Sequence, residues 1–381
     1  MTKKIGIVCF PTFGGSGVVA TELGIELAKK GYEIHFISYK QPFRLADLQQ
    51  NVYYHEVEVY AYPLFEYSPY EIALTSKMVE IVQQYQLEIL HVHYAIPHAS
   101  SAYLAKQILA TKGIPIKIIT TLHGTDITLV GRDASLQPVV TFAINASDAV
   151  TSVSESLRKD TYAYFEVEKS IQVIPNFIDP HKYEIIDYCH IKKLFCTPDE
   201  KLIVHISNFR PVKRTNDVIH TFYGIQKQIP SHLVLLGDGP DKLEAEHLVQ
   251  QLGIASKVTF LGKVREVGQV LLAADLFLLP SQTESFGLSA LEAMVCRTPV
   301  ISSNTGGLSE VNKQGFSGYL TEVGDVKAMI AYSIEILKEE ATLDKFKKQA
   351  YEQALLFEKE KIIIAYEHLY ESLINYPAYS I

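Results

Sequence analysis

The feature that most constrains this chain is an alternation running from one end to the other: short apolar runs rich in Val, Ile, Leu and Phe, each followed by a longer amphipathic stretch. Such spacing marks βα units, because a helical crossover returns the chain for another strand in the same direction and the strands pair in parallel. Residues 5–10 read as a strand, 17–30 as a helix and 33–38 as the next strand. Further strands are expected at 89–93, 116–121 and 149–153. A second series opens after Ile174-Pro175-Asn176, with strands at 202–206, 233–236, 258–261, 276–279 and 299–302.

The chain has 381 residues, well beyond one typical domain of about 150, so the two series read as two α/β domains. We place the first at 1–173 and the second at 174–359, with a helix over about 360–381 packing back on the first. From Glu335 onward Glu and Lys mix with apolar residues at helical spacing and no glycine occurs, which reads as helices with a solvated charged face. No short-period repeat is visible. Open parallel sheets bind ligands outside the C-terminal ends of their strands, so two such domains facing each other would share one cleft.

Charge narrows the choice of partner. Thirty-five Lys and Arg against forty-three Asp and Glu give a net charge of −8, which argues against a nucleic acid or an anionic membrane as partner. Cys9, Cys189, Cys196 and Cys296 form no C-x-x-C pair and suggest neither a disulfide framework nor a zinc knuckle. The apolar stretch after Lys4 is too short for a signal peptide, and no run approaches the roughly 18 residues that span a bilayer. A cytoplasmic protein is expected, and the sequon Asn145-Ala146-Ser147 reads as chance.

Several strand-end segments carry chemistry. Pro11-Thr12-Phe13-Gly14-Gly15-Ser16-Gly17 joins a strand to a helix, where glycines let backbone N–H groups approach a phosphate. It is not G-x-G-x-x-G and no acid closes the second strand, so a dinucleotide dehydrogenase is disfavoured; a plain tight turn stays open. Asn208-Phe209-Arg210-Pro211-Val212-Lys213-Arg214 has three cations in five residues, and no acid lies between Leu202 and Asn216. An Arg fork and a mobile Lys charge suit a diphosphate leaving group, with a solvated basic turn as the other reading.

The segment from Ser281 through Glu284-Ser285-Phe286-Gly287-Leu288 to Glu292 leaves a strand and enters a helix expected near Phe286. The N–H groups of Phe286, Gly287 and Leu288 would face an anion, and Glu284 would either reach a ligand or cap the helix. His91 and His93 share one strand face, so a metal pair is conceivable, although no carboxylate or thiol completes it. His123, in Leu122-His123-Gly124-Thr125-Asp126, follows a strand and is either a donor to a substrate hydroxyl or a structural histidine. Gly237-Asp238-Gly239-Pro240 and Gly306-Gly307 read as turns shaping the same end of the second sheet.

In this order the segments resemble the family 4 retaining glycosyltransferases. The matching pieces are the Gly14-Gly15 loop, His123-Gly124-Thr125-Asp126, Ile174-Pro175-Asn176-Phe177-Ile178-Asp179, Asn208 to Lys213, Gly237 to Pro240, and Glu284 and Glu292 as Glu-x7-Glu. Gly14 to Gly24, Pro42-Phe43-Arg44, His91 to His98 and Thr121 to Ile127 draw the likeness toward members that glycosylate malate. The resemblance implies an α/β fold of GT-B architecture, two Rossmann-like doubly wound domains facing across a cleft. It implies a UDP-sugar-dependent retaining hexosyltransferase that moves N-acetylglucosamine from UDP-N-acetylglucosamine to the hydroxyl of L-malate, the first step of bacillithiol biosynthesis, with no cofactor and no metal. A homo-oligomer is compatible with it.

By the same resemblance Arg210 and Lys213 face the diphosphate, with Gly15, Asn208, Ser285, Phe286, Gly287 and Leu288 around the nucleotide sugar. Glu284 falls to the transferred sugar's hydroxyls, Glu292 to the ribose and His123 to the sugar near its 6-hydroxyl. The catalytic set is therefore His123, Glu284, Arg210 and Lys213, and Ser16, Arg44, Tyr94 and Thr121 are the acceptor candidates. One departure is Thr141, where the malate-using members are expected to carry a basic residue. The other readings are a family 4 enzyme with a different donor or acceptor, and a noncatalytic nucleotide-sugar sensor.

Overall fold

The computed structural model describes residues 3–12, 15–45, 49–59, 68–183, 189–264 and 266–375. Contacts divide the chain into two units, one running to Asn176 and resuming at Glu360, the other spanning Phe177–Lys359.

In the first unit, among the described residues, seven parallel strands form one sheet: β1 (Lys4–Val8), β2 (Glu33–Ser38), β3 (Val52–Glu56), β4 (Ile89–His93), β5 (Lys117–Leu122), β6 (Ala149–Ser152) and β7 (Ile171–Val173). Their order is β3-β2-β1-β4-β5-β6-β7. Chain order reverses between β1 and β4, the switch point at which the strand-end loops diverge and leave room for a ligand. All five residues of β4 are buried, because helices cover both faces of a parallel sheet. On one face Val8, Ile37 and Val92 pack with Leu74, Met78 and Val82 of helix Tyr70–Tyr85 and with Ala102, Ala105 and Leu109 of helix Ser100–Ala110. Each fully buried large aliphatic side chain contributes roughly 1.5–3 kcal/mol.

The last helix, Lys359–Asn375, belongs to this unit from Glu360 on, and its Ile363, Tyr366 and Tyr370 are buried. The Tyr370 hydroxyl lies 2.8 Å from Nδ1 of His91, while Lys3 pairs with Glu371 at 2.8 Å and Lys30 with Glu367 at 2.7 Å. Asn145 of the sequon is used structurally: its side chain accepts from the Glu168 amide at 2.9 Å and donates to the Glu166 carbonyl at 2.9 Å.

The second unit holds a six-stranded parallel sheet, again among the described residues: β8 (Lys201–Ile206), β9 (Ser231–Leu236), β10 (Val258–Gly262), β11 (Leu276–Leu279), β12 (Val300–Ser303) and β13 (Gly318–Thr321). The order β10-β9-β8-β11-β12-β13 puts the switch point between β8 and β11. Ile203, Leu233, Leu235 and Leu278 pack with Val218 and Phe222 of helix Thr215–Ile225 and with Ile336, Leu337 and Phe346. Among the described residues no helix is long and apolar enough to cross a membrane.

Candidate active site

In the second unit four strand-end loops meet beside the switch point. The loop after β8 runs from Ser207 to Arg214 and leads into helix Thr215–Ile225. Phe209 within it is fully buried with a positive φ of 35°, so its ring anchors the loop while Asn208 and Arg210 on either side stay exposed. The turn after β9 packs against this loop too closely for side chains. A Cβ on Gly237 (φ 122°) would come within 1.7 Å of the Ser207 carbonyl oxygen, and one on Gly239 within 2.0 Å of that of Asn208.

The loop after β11 supplies the carboxylate. Lys213 Nζ forms an ion pair with Glu284 Oε1, and the Ser281 hydroxyl donates to the same oxygen at 3.1 Å. The Gln282 amide donates to the Val212 carbonyl at 2.7 Å and ties the two loops together. Both side chains of the pair are mostly buried, 21% and 14% exposed, so the pair is a fixed element and not a loose surface contact. Of the other two cations, Arg214 is drawn to Asp217 three residues on, at 2.6 Å, whereas exposed Arg210 has no ion-pair partner among the described residues. Arg210 is exposed and Lys213 is held by Glu284 at the same strand-end loops.

The helix that follows is Leu288–Val295, two residues later than expected, because Gly287 is its N-cap in the left-handed region at φ 98°. No side chain caps it, and the amides of Phe286, Gly287 and Leu288 have no acceptor among the described residues. Glu284 is therefore a partner of Lys213 and not a helix cap. Glu292, one turn into the helix, accepts from the Tyr183 hydroxyl at 3.4 Å. Ser285 lies half-buried between Glu284 and the helix start.

The loop after β12 locks Glu284 from behind. The Gly307 amide donates to the Glu284 carbonyl at 2.9 Å, and a Cβ on Gly306 (φ 53°) would stand 1.9 Å from that same oxygen. Gly306→Ala is expected to displace the Glu284 backbone, lowering kcat at least about tenfold and destabilising the protein by about 2 kcal/mol or more. Steady-state kinetics and a thermal melt measure the two effects; wild-type values in both would refute the lock.

In the first unit the cluster lies at the ends of β1, β4 and β5. Gly15 (φ 63°) caps helix Ser16–Lys29, whose start approaches the chain so closely that a Cβ on Gly17 would meet the Phe10 carbonyl oxygen at 2.5 Å. Phe13 and Gly14 of this loop lie outside the described residues. The Ser16 hydroxyl and the Tyr94 hydroxyl are 2.7 Å apart, two acceptor candidates brought together from positions 78 residues apart. The Tyr94 ring packs 5.4 Å from Phe10 and 5.2 Å from His123, and burial pushes its phenol up to about 12, so it is a neutral donor at physiological pH. Arg44 Nη1 donates to buried Glu22 Oε1 at 3.0 Å, which holds the guanidinium against the helix.

His123 is half-buried; its Nε2 lies 2.8 Å from Nδ1 of His93. Asp126 staples this loop to the one after β4: Oδ1 accepts from the Gly124 amide at 3.0 Å and Oδ2 from the Ala95 amide at 2.9 Å. Burial raises its carboxyl to about 6, against the lowering effect of those amides.

Residues 13–182 match the family model described as Glycosyltransferase Family 4, and residues 190–353 match that described as Glycosyl transferases group 1. Over 380 residues the chain is 47% identical to N-acetyl-alpha-D-glucosaminyl L-malate synthase of Bacillus anthracis, covering 98% of each. The chain belongs to glycosyltransferase family 4. Like other members it has the GT-B fold. The Anabaena protein HepE in complex with UDP-glucose superposes with a TM-score of 0.82 at 18% identity, covering 97% of this chain and 99% of that one. Sucrose-phosphate synthase from Thermosynechococcus elongatus gives 0.80 at 21% identity, covering 98% and 99%.

One expectation changes in this family 4 glycosyltransferase, and one open alternative closes. Thr121 was placed among the acceptor residues, yet it is fully buried and its Oγ1 is taken up by His91 Nε2 and Thr151 Oγ1, each at 2.7 Å. Its hydroxyl is spent on the neighbouring strands, so Thr121 does not belong to the acceptor set. The conceivable His91–His93 metal pair also fails, because Tyr370 and Thr121 occupy both ring nitrogens of His91. Thr141 lines a cavity of about 500 Å³ with Phe142, Asn145 and Tyr164, and none of the expected acceptor residues lines it. Two supporting roles were not assigned from the sequence: Ser281 holds Glu284 from three residues away in the same loop, and His93 holds His123 across adjacent strands, a partnership that only the sheet register sets.

Proposed function

We propose that this glycosyltransferase moves N-acetylglucosamine from UDP-N-acetylglucosamine to the hydroxyl of L-malate with retention at the anomeric carbon, as the first step of bacillithiol biosynthesis. The observation that carries the reading is the 47% identity, over 98% of both chains, to a protein named for that product. Arg210, Lys213 and the amides of Gly15 and of Phe286 to Leu288 meet the charge that develops on the departing diphosphate, with Asn208 and Ser285 beside it. Glu284 receives the sugar's hydroxyls, Glu292 the ribose and His123 the sugar near its 6-hydroxyl. Ser16, Tyr94 and Arg44 receive malate, whose two carboxylates need local donors in an acidic protein.

No side chain need act as nucleophile. The bond from the anomeric carbon to the phosphate oxygen breaks, the malate oxygen forms its bond on the same face, and the malate proton passes to the departing phosphate oxygen. Cations and helix-end amides take the part that a metal ion plays in other transferases. The test is release of UDP from UDP-N-acetylglucosamine with and without L-malate, in the presence of EDTA. Malate-dependent release that EDTA leaves unchanged is expected; release that ignores malate, or that occurs only with another nucleotide sugar, overturns the assignment.

A further inference from the structure

The register of the first sheet lines up three imidazoles. β4 and β5 pair with His93 opposite Thr121, so His123, two residues beyond Thr121, projects beside His93 on the face that also carries His91. The rings stack with centroids 4.6 Å apart for His91 and His93, and 5.0 Å apart for His93 and His123. His93 is fully buried, and its Nε2 has no hydrogen-bond partner. Burial lowers all three imidazoles, His91 and His123 to about 3 and His93 well below its usual value, so at neutral pH each ring carries a single proton.

A neutral imidazole has one donor and one acceptor nitrogen, and only one proton can lie between His93 Nδ1 and His123 Nε2. If His123 donated, the proton of His93 would sit on Nε2, a buried N–H with nothing to receive it. If His93 donates, its Nε2 is a bare lone pair instead. Orphaned buried N–H groups are the rarer defect. The neighbouring His98 shows the same choice. Its Nδ1 lies against the His93 carbonyl, which can only accept, so its proton is on Nδ1 and its buried, unpartnered Nε2 is bare. With His93 donating, the single proton of His123 must sit on Nδ1, which has no partner among the described residues.

We propose that His93 is a positioning residue that holds His123 as its Nδ1–H tautomer, so that His123 offers a hydrogen-bond donor to the substrate. The functional half of this rests on the placement of His123 against the sugar proposed above; the tautomer itself does not. A hydroxyl or a phosphate oxygen can accept from Nδ1–H, whereas the opposite tautomer would offer either of them only a lone pair.

Long-range ¹H–¹⁵N correlation spectra of protein labelled with ¹⁵N-histidine report which ring nitrogen carries the proton, and His123→Ala assigns the His123 signals. The expected spectrum has His93 and His123 both protonated at Nδ1; a proton on Nε2 of His123 would overturn the proposal without any assay. His93→Leu removes the donor, so His123 should populate both tautomers and kcat should fall about tenfold with little change in KM for the nucleotide sugar. His93→Asn, whose amide nitrogen can occupy the place of Nδ1, should restore the tautomer and most of the rate. Should His93→Leu fail to fold, the wild-type and His93→Asn spectra still decide. Unchanged kcat in His123→Ala would instead refute the placement of His123 against the sugar and leave the tautomer standing.

Discussion

Replacing Lys213 by alanine is expected to lower kcat by about 10²- to 10³-fold, the size of effect seen when one preorganised group facing a developing negative charge is removed. Lys213 reaches its position from a short turn, Pro211–Lys213, anchored by the buried Phe209 ring, and it is held by Glu284 and not by solvent. Two losses coincide in the variant. In the proposed roles the diphosphate loses a cation that matters most as the glycosidic bond breaks, and the mostly buried Glu284 carboxylate, proposed to anchor the sugar, loses its partner. The effect should therefore fall on kcat more than on KM. Arg214→Gln, one residue away, is the contrast: its guanidinium is spent on Asp217, and activity should change by less than about threefold. Equal losses in the two variants would mean that the segment acts as a diffuse basic patch.

A second large effect concerns acid. His91 and His123 are lowered to about 3, His98 to about 4 and His93 well below its usual value, each chiefly by burial, and His205 of the second unit is lowered to about 4. The unfolded chain takes up protons on these residues near pH 6.5, whereas the folded protein does so only near 3 for His91 and His123, near 4 for His98 and His205, and well below 6.5 for His93. Their contribution is thus fully present above about pH 6.5 and is lost as pH falls toward 4, by up to about 1.4 kcal/mol per pH unit for each histidine. Asp126 has the opposite sign: its carboxyl is raised to about 6, so between about 6 and 4 the folded state binds its proton first and gains. Asp160 and Asp241 are raised as well, but His35, His55 and His232 join the lowered histidines, so the trend is not reversed. The sequence contains no tryptophan, so unfolding is best followed by circular dichroism. Urea midpoints should drop steeply between pH 7 and 5, and a flat profile would mean that these imidazoles are hydrated.

Three of the four sheet-edge strands escaped the periodicity; the fourth, β10, was found at 258–261. Central strands such as β4, β8 and β9 are continuous apolar runs because helices cover both faces, and they stand out in the sequence. β3, β7 and β13 were not anticipated, and all three are sheet edges. An edge strand is covered less completely, so β3 reads Val-Tyr-Tyr-His-Glu with exposed positions, while β7 and β13 have only three and four residues. The start of helix Leu288–Val295 was misplaced for a similar local reason, since Gly287 can be either a first helical residue or a left-handed cap.

Within the site, residue types and their place at strand ends were readable without coordinates: the cations at Arg210 and Lys213, the Glu284 and Glu292 pair, and the histidine at 123 all follow strands of a parallel sheet. Which of those groups remain available to a substrate was not readable. Thr121 and His123 sit two residues apart on one strand end, yet Thr121 is consumed by His91 and Thr151 while His123 keeps one nitrogen open. Glu284 read equally well as a helix cap until Lys213, 71 residues earlier, proved to be its partner. The reason is physical. Strand and helix periods are set by neighbours within a few residues, so the sequence alone determined the two-sheet architecture and the loops that carry chemistry. Hydrogen-bond partners across adjacent parallel strands come from segments tens of residues apart, and only the tertiary register of the sheets decided which polar groups are satisfied and which are left to bind.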